Sequence, residues 1–319
     1  MNSKSYTAAS IAVPAKLARL GSKVVNVDGR IIPLHIQVSL TNVCNLRCSF
    51  CSCANRDSSL SLPAQELCST LDRYYSKGCR AITITGGGEP TLHPDFLLLT
   101  AHMRGLGLSL GLVTNGLTLE KTYGLEGYRW IRVSCGDDRD TQALSRALRR
   151  VAPSTPSVDW AVSYVLSRRP DWAKLVSISH LARDLRFTHV RVVPDLLDLE
   201  CTETLLPEAV TRLRSAGAYW PGIIVQPRQN HEQGDRFCRI SLLKPQIGSD
   251  GNIYPCCGVQ YARSDDIRDF DSEMRMGTIY DPELPEEPFD GSRCVKCYYS
   301  GYNRLLDAIL TSTDHEEFV

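Results

Sequence analysis

Three cysteines, Cys44, Cys48 and Cys51, stand in one short stretch with gaps of three and two residues. That spacing lets a single loop bring three sulfurs together. Thiolates are the usual ligands of iron–sulfur clusters, and a [4Fe–4S] cluster takes four. Three from one loop would leave one iron open to bind a small molecule and pass it an electron. Zinc also accepts thiolates, and close cysteines can simply be buried. The next chemistry-bearing stretch favours the cluster. An apolar run, Ala81–Thr85, leads directly into Gly86-Gly-Gly-Glu-Pro90. Glycines after a strand let a ligand approach the backbone, and Glu89 offers an acceptor for an ammonium group. A second set lies far downstream: Cys238, the adjacent pair Cys256 and Cys257, and Cys294-Val-Lys-Cys297. Cys238, Cys256 or Cys257, Cys294 and Cys297 would satisfy one metal centre. By spacing alone, zinc and an iron–sulfur cluster serve equally well.

Alternating elements must position these groups. The run His35–Thr41 reads as a first strand, with the cysteine loop after it. Pro63 opens a helix to about 77, with Leu67, Leu71 and Tyr74 on one face. Strands follow at 81–85, 108–114, 130–135, 159–166 and 189–193, with helices near 94–104, 138–151 and 170–185. Such a series predicts a parallel sheet, and six units suit a partial (βα)6 barrel. Ligands of parallel sheets bind beyond the C-terminal strand ends. The cysteine loop, the glycine turn and Thr114-Asn115-Gly116 all fall there, as do Ser134 and Asp137. Ser134 has an alternative reading as a hydroxyl satisfied by nearby backbone. Tyr164, Arg191 and Asp195 could face the cavity. Alternation puts His189, Arg191 and Val193 on one side of their strand. Arg191 could hold a carboxylate, or form a salt bridge at the sheet end. Before the core, 15–20 reads as a short helix and 24–32 as a hairpin around Asp28-Gly29. Asp250-Gly251 suits a turn between strands at 242–248 and 252–254, and 301–312 reads as a last helix. The expected organisation is an N-terminal extension over 1–34, a core over 35–230 and a small β-hairpin and helix domain over 231–319.

Composition bounds the rest. The 319 residues carry 36 basic and 36 acidic side chains, for a formal net charge of zero. That gives no support to a broad basic face for nucleic acid. No apolar run is long enough to span a membrane. Thirteen cysteines with metal-like spacing and no secretory signal pattern point to a reducing, cytoplasmic setting rather than to disulfides. The first 27 residues carry four basic and no acidic side chains. That mildly resembles a transit peptide, although an ordinary bacterial N-terminus is the favoured reading.

The C-x3-C-x2-C loop after the first strand and the Gly-Gly-Glu-Pro turn after the second resemble the two signatures of the radical S-adenosylmethionine (SAM) superfamily. The resemblance implies a partial barrel and a [4Fe–4S] cluster on Cys44, Cys48 and Cys51, whose open iron binds SAM. Reductive cleavage would yield methionine and a 5′-deoxyadenosyl radical that abstracts a substrate hydrogen. The resemblance places Gly87, Gly88 and Glu89 at the methionine amino group, Phe50 by the adenine and Ser134 at the ribose. Asn115 and Arg191 join them as candidates for cofactor binding. A reductant such as flavodoxin or ferredoxin is implied. The C-terminal cysteines resemble a twitch domain, the shortened relative of the SPASM domain. That likeness implies one auxiliary [4Fe–4S] cluster on Cys238, Cys256, Cys294 and Cys297. Cys256, directly after a proline, matches the motif better than Cys257.

One core with one auxiliary cluster resembles the layout of 2-deoxy-scyllo-inosamine dehydrogenases. The expected activity is oxidation of a small polar molecule, with the auxiliary cluster taking an electron and a base taking a proton. Peptide modification is the less favoured alternative, because 1–34 is too short for a peptide-recognition domain. Modification of a nucleobase or nucleotide, in DNA or RNA or free, is the other, and either could be redox-neutral. A zinc or iron–sulfur binding protein without catalysis is a reading of a different class.

Overall fold

Each core strand alternates between two faces, and the two faces differ in chemistry. One carries Ile36, Val38, Ile82, Ile84, Leu110, Leu112, Ile131, Val133, Val162, Val190 and Val192, all in one buried cluster. The other carries Gln37, Thr83, Arg132, Ser134, Ser163, His189 and Arg191. Burial of the apolar face is the main favourable term in folding, so helices must cover that side and leave the polar side to line a groove.

The structure, a computed structural model, describes residues 31–227, 232–262, 272–281 and 283–310, with isolated positions at 16, 19, 20 and 24. The helix expected over 15–20 and the hairpin over 24–32 fall largely outside these residues. Seven parallel strands form the core in sequential order: β1 (His35–Ser39), β2 (Ala81–Thr85), β3 (Ser109–Thr114), β4 (Tyr128–Gly136), β5 (Asp159–Leu166), β6 (His189–Pro194) and β7 (Ile223–Val225). The connecting helices are α1 (Ala64–Ser76), α2 (Phe96–Gly105), α3 (Thr141–Val151), α4 (Trp172–Asp184), α5 (Leu199–Glu203) and α6 (Leu206–Ser215). Leu67, Leu71, Leu99, Met103, Leu144, Leu148, Leu175 and Ile178 bring them onto the apolar strand face. The fold is α/β with an open sheet, a partial barrel extended by one short strand beyond the six units expected. The sequence reading missed α6 and β7, although the Leu206, Ala209 and Leu213 stripe and Ile223-Ile-Val225 after Gly222 carry their signals.

The C-terminal segment joins the same sheet. β8 (Gln246–Ile247) pairs in parallel with the free edge of β1, and β9 (Asn252–Tyr254) and β10 (Gly277–Thr278) follow antiparallel. The expected strand 242–248 is thus mostly something else. Ile240–Leu243 forms a one-turn helix, α7, because β1 offers partners only from Pro245 onward, where Gln37 N donates to Pro245 O at 3.0 Å. Ile240, Leu242 and Leu243 are buried, and Leu243 N and Lys244 N find acceptors on Arg239 and Ile240. Ile247, Ile253, Ile279 and Leu284 belong to the main core, whereas Cys238, Tyr254, Met274, Phe289 and Leu306 form a second cluster. α8 (Ser300–Leu310) closes that second cluster. No helix among the described residues is long and apolar enough to cross a membrane.

Candidate functional site

The cysteine loop leaves β1 and is held from several sides. Gly88 N donates to Thr41 O at 2.9 Å and Glu89 N to Val43 O at 2.8 Å, so the glycine turn docks on the loop's root. A Cβ on Gly88 would stand 2.0 Å from Val43 O, and one on Gly87 would stand 1.9 Å from Asn42 Oδ1. The side-chain space of these glycines is therefore taken by the chain itself. The ligand approach inferred from sequence has only their backbone faces to use.

Glu89 is 1% exposed. Its Oε1 accepts from Thr91 N at 3.2 Å, Thr91 Oγ1 at 2.6 Å and Thr114 Oγ1 at 2.8 Å, and its Oε2 accepts from Asn115 N at 2.6 Å. The carboxylate is a strut between the ends of β2 and β3. Asn115 continues the chain of contacts: its Nδ2 donates to Asn45 Oδ1 at 2.7 Å, inside the cysteine loop. Buried Arg139 donates to Asn115 O at 2.6 Å.

Two contacts at the end of β4 complete the cradle. A Cβ on Gly136 would meet the Phe50 ring at 2.3 Å, so only glycine lets Phe50 lie there. Asp138 Oδ2 accepts from Ser49 N at 2.9 Å. Arg56 reaches back from beyond the loop, donating from Nε to Asn42 O at 2.8 Å, from Nη1 to Cys51 Sγ at 3.3 Å, and to Cys53 O. Asn45, Arg56, Asp138 and Arg139 were not legible as site residues, since none sits in a recognisable spacing.

Burial pushes Cys48 up to about 11, and Asp138, Cys51 and Cys44 add to the shift. Bound metal reverses that balance by favouring thiolates. These residues therefore fit a cluster ligated by Cys44, Cys48 and Cys51.

Cys238, Cys256, Cys294 and Cys297 line one cavity with Asn303 and Tyr299. Burial raises Cys294 to about 12, followed by the fields of Cys297 and Cys238. Cys238 rises to about 11 through burial, with Cys297 contributing. Cys256 is driven well above the ordinary thiol range by burial, then by Cys257, Cys238 and Cys294. Cys257 is not among the residues lining the cavity; its sulfur instead lies 3.3 Å from Tyr299 Oη. Cys53 Sγ donates to Gln260 Oε1 at 3.2 Å, which ties the first cysteine loop to the segment after Cys257. Among the described residues no three His, Cys, Asp or Glu side chains converge on a single-ion position.

Comparison with known proteins fits this layout. Residues 38–195 match the model of the radical SAM superfamily. The chain belongs to the radical SAM superfamily. It is accordingly an enzyme, and the family's cofactors are a [4Fe–4S] cluster and SAM. A probable GTP 3′,8-cyclase of Sulfurisphaera tokodaii is 36% identical over 86 residues, 26% of this chain and 27% of the relative. The similarity thus spans about a quarter of that relative's length. Among solved structures, native anSMEcpe with bound AdoMet and Kp18Cys peptide superposes with a TM-score of 0.55 at 14% identity, covering 90% of this chain and 86% of the other. Streptococcus suis SuiB bound to S-adenosylmethionine gives 0.54 at 16% identity, covering 84% and 67%. These likenesses show a shared fold.

The remaining sequence candidates distribute as follows. Ser134 is half-buried on the groove face of β4, and its hydroxyl has no hydrogen bond to the described residues. Arg191 lies on the same face of β6 and donates from Nη2 to Ser163 Oγ at 2.9 Å. Tyr164, expected at the cavity, packs in the helix-side core, and its hydroxyl donates to Asp137 Oδ1 at 2.6 Å. The odd step between Ser163 and Tyr164 explains this, since neighbouring strand residues point to opposite faces.

Proposed function

We propose that this chain generates a 5′-deoxyadenosyl radical at the Cys44/Cys48/Cys51 loop and uses it on a small polar molecule held in the groove of the open barrel. When bound, the cluster and SAM supply a radical that removes a hydrogen atom from the substrate. The chain's own part is to fix the loop through the glycine turn, Asn115, Asp138 and Arg56. Phe50, Ser134 and the backbone of Gly87 and Gly88 are the groups we assign to SAM, with Arg191 the cation on the same strand face as Ser134.

The observation that carries this reading is the polar strand face of Gln37, Thr83, Ser134, Ser163 and Arg191 in a chain that also holds two cysteine sets. A net oxidation needs an acceptor for a second electron, and Cys238, Cys256, Cys294 and Cys297 are where an auxiliary cluster would be ligated. A second reading, chemistry on a free nucleotide, is favoured by the GTP 3′,8-cyclase relatives. Their similarity covers little more than a quarter of this chain, so the substrate does not follow from it.

The test uses anaerobically reconstituted protein. Iron and sulfide are counted, and 5′-deoxyadenosine is assayed from SAM under dithionite, beside a Cys44/Cys48/Cys51→Ala triple variant. About eight irons in the wild type and four in the variant, with cleavage only in the wild type, is the expected result on two four-iron clusters. Four irons with zinc would remove the auxiliary acceptor and redirect the reading to redox-neutral chemistry. Absence of cleavage with both sites filled would count against it.

A further inference from the structure

The groove face of the sheet holds buried polar atoms that the SAM-handling residues do not use. Gln37 Oε1, His189 Nε2, Gln226 Oε1 and Gln246 Oε1 are all buried without a hydrogen-bond partner among the described residues. Two of them can be assigned as acceptors. Gln246 Nε2 donates to Ile247 O at 2.9 Å, which fixes its other amide atom as oxygen. His189 is 3% exposed, and its Nδ1 lies 3.0 Å from Thr188 Oγ1. The single hydroxyl proton of Thr188 is donated to Trp160 O at 3.0 Å. His189 Nδ1 must then be the donor, which leaves a bare lone pair on Nε2.

Charge points the same way. Burial, then Arg132 and Arg191, hold His189 at about 4, so the ring is neutral. Arg191 shares its strand face with His189 and registers with Ser163 on β5 and, through it, with Ser134 on β4. An acceptor in a positive field suits a ligand that brings a hydrogen-bond donor and a negative charge together. A buried acceptor left unmatched is costly, so a ligand supplying its donor gains accordingly.

We propose that the β4–β6 wall of the groove is a substrate subsite for a hydroxyl-bearing anion, with His189 Nε2 accepting from the hydroxyl and Arg191 facing the carboxylate or phosphate. This rests on the radical SAM reading above and narrows its substrate class. It gives His189 a specificity role rather than a place in radical generation.

The test measures binding by calorimetry to reconstituted, unreduced protein saturated with SAM. The probes are ribose 5-phosphate, ribonate and ribose. The two anions should bind at least tenfold tighter than ribose. His189→Leu should weaken each anion about tenfold, the worth of one buried hydrogen bond, whereas His189→Gln, which keeps an acceptor near Nε2, should restore most of it. Arg191→Gln should erase the preference for anions. Ribose 5-phosphate favoured over ribonate would identify phosphate as the anion, and the reverse a carboxylate. Equal binding of ribose and both anions, no binding of any probe, or His189→Leu matching wild type would overturn the proposal. So would competition between the anions and SAM, which would assign Arg191 to the methionine carboxylate. Failure to form 5′-deoxyadenosine in the separate cleavage assay would sink the radical reading without touching these binding results.

Discussion

Glu89 offers the sharpest separation between a structural and a ligand-binding role. Its two oxygens accept four hydrogen bonds inside the protein, two from backbone N–H groups. Glu89→Gln keeps one acceptor oxygen and replaces the other with an amide donor. If the new NH2 group faces Asn115, two donors confront each other. If it is flipped, the Thr91 and Thr114 hydroxyls can rotate to accept, but Thr91 N cannot. Either way one buried backbone donor loses an ionised acceptor. A bond to a charged group contributes about 1.5–3 kcal/mol, and the orphaned donor costs a further 1–3. We expect a net loss of about 3 kcal/mol. Guanidinium unfolding under anaerobic conditions should show a lower midpoint with an unchanged slope. Stability within about 0.5 kcal/mol of wild type, a typical surface-substitution effect, together with a severe loss of SAM affinity would refute the strut argument and place the carboxylate on the ligand.

Arg56→Gln removes a cationic donor from Cys51 Sγ and should lower the potential of the first cluster by roughly 60 mV, a tenfold shift for one electron. Redox titration followed by electron paramagnetic resonance, in a background lacking the C-terminal thiols, reads this; an unchanged potential would show the guanidinium to be a loop brace alone. Cys256→Ser should halve iron after reconstitution while Cys257→Ser leaves it near wild type, and the reverse pattern would mean that the cavity lining misidentifies the ligand. His189 is held at about 4 against an ordinary 6.5, so below pH 6.5 the unfolded chain takes a proton that the folded one refuses. Its contribution to stability is complete above pH 6.5 and is lost on acidification, by about 2 kcal/mol between pH 6.5 and 5. The pH dependence of unfolding should be shallower in His189→Gln by that amount, and parallel curves would mean that the ring protonates freely in the native state.

Period-two and helical patterns made most of the barrel legible, since Ile82/Ile84 and Leu110/Leu112 alternate cleanly and α1 carries its stripe at Leu67, Leu71 and Tyr74. The cysteine spacings were legible for the same reason: they are local. What sequence could not reveal was long-range. Arg56 and Asp138 matter because folding brings them to the cysteine loop, 89 residues separating Ser49 from Asp138. Nor does a sequence show that Asn42 and Val43 fill the side-chain space beside Gly87 and Gly88, which leaves a ligand only their backbone faces. β8 is two residues long, too short for any periodicity, and its partner β1 lies some two hundred residues earlier.

That pairing has a consequence for synthesis. β1 emerges early, yet the strand that covers its outer edge and the Gln246–Ser39 side-chain bond come 207 residues later. At about 5–20 residues per second on the ribosome, the edge of β1 stays bare for roughly 10–40 s. An uncovered edge is a template for pairing with other chains. A message truncated or stalled before codon 246 would therefore release a nascent chain prone to self-association, and holding by a chaperone over that interval should govern the yield of folded protein.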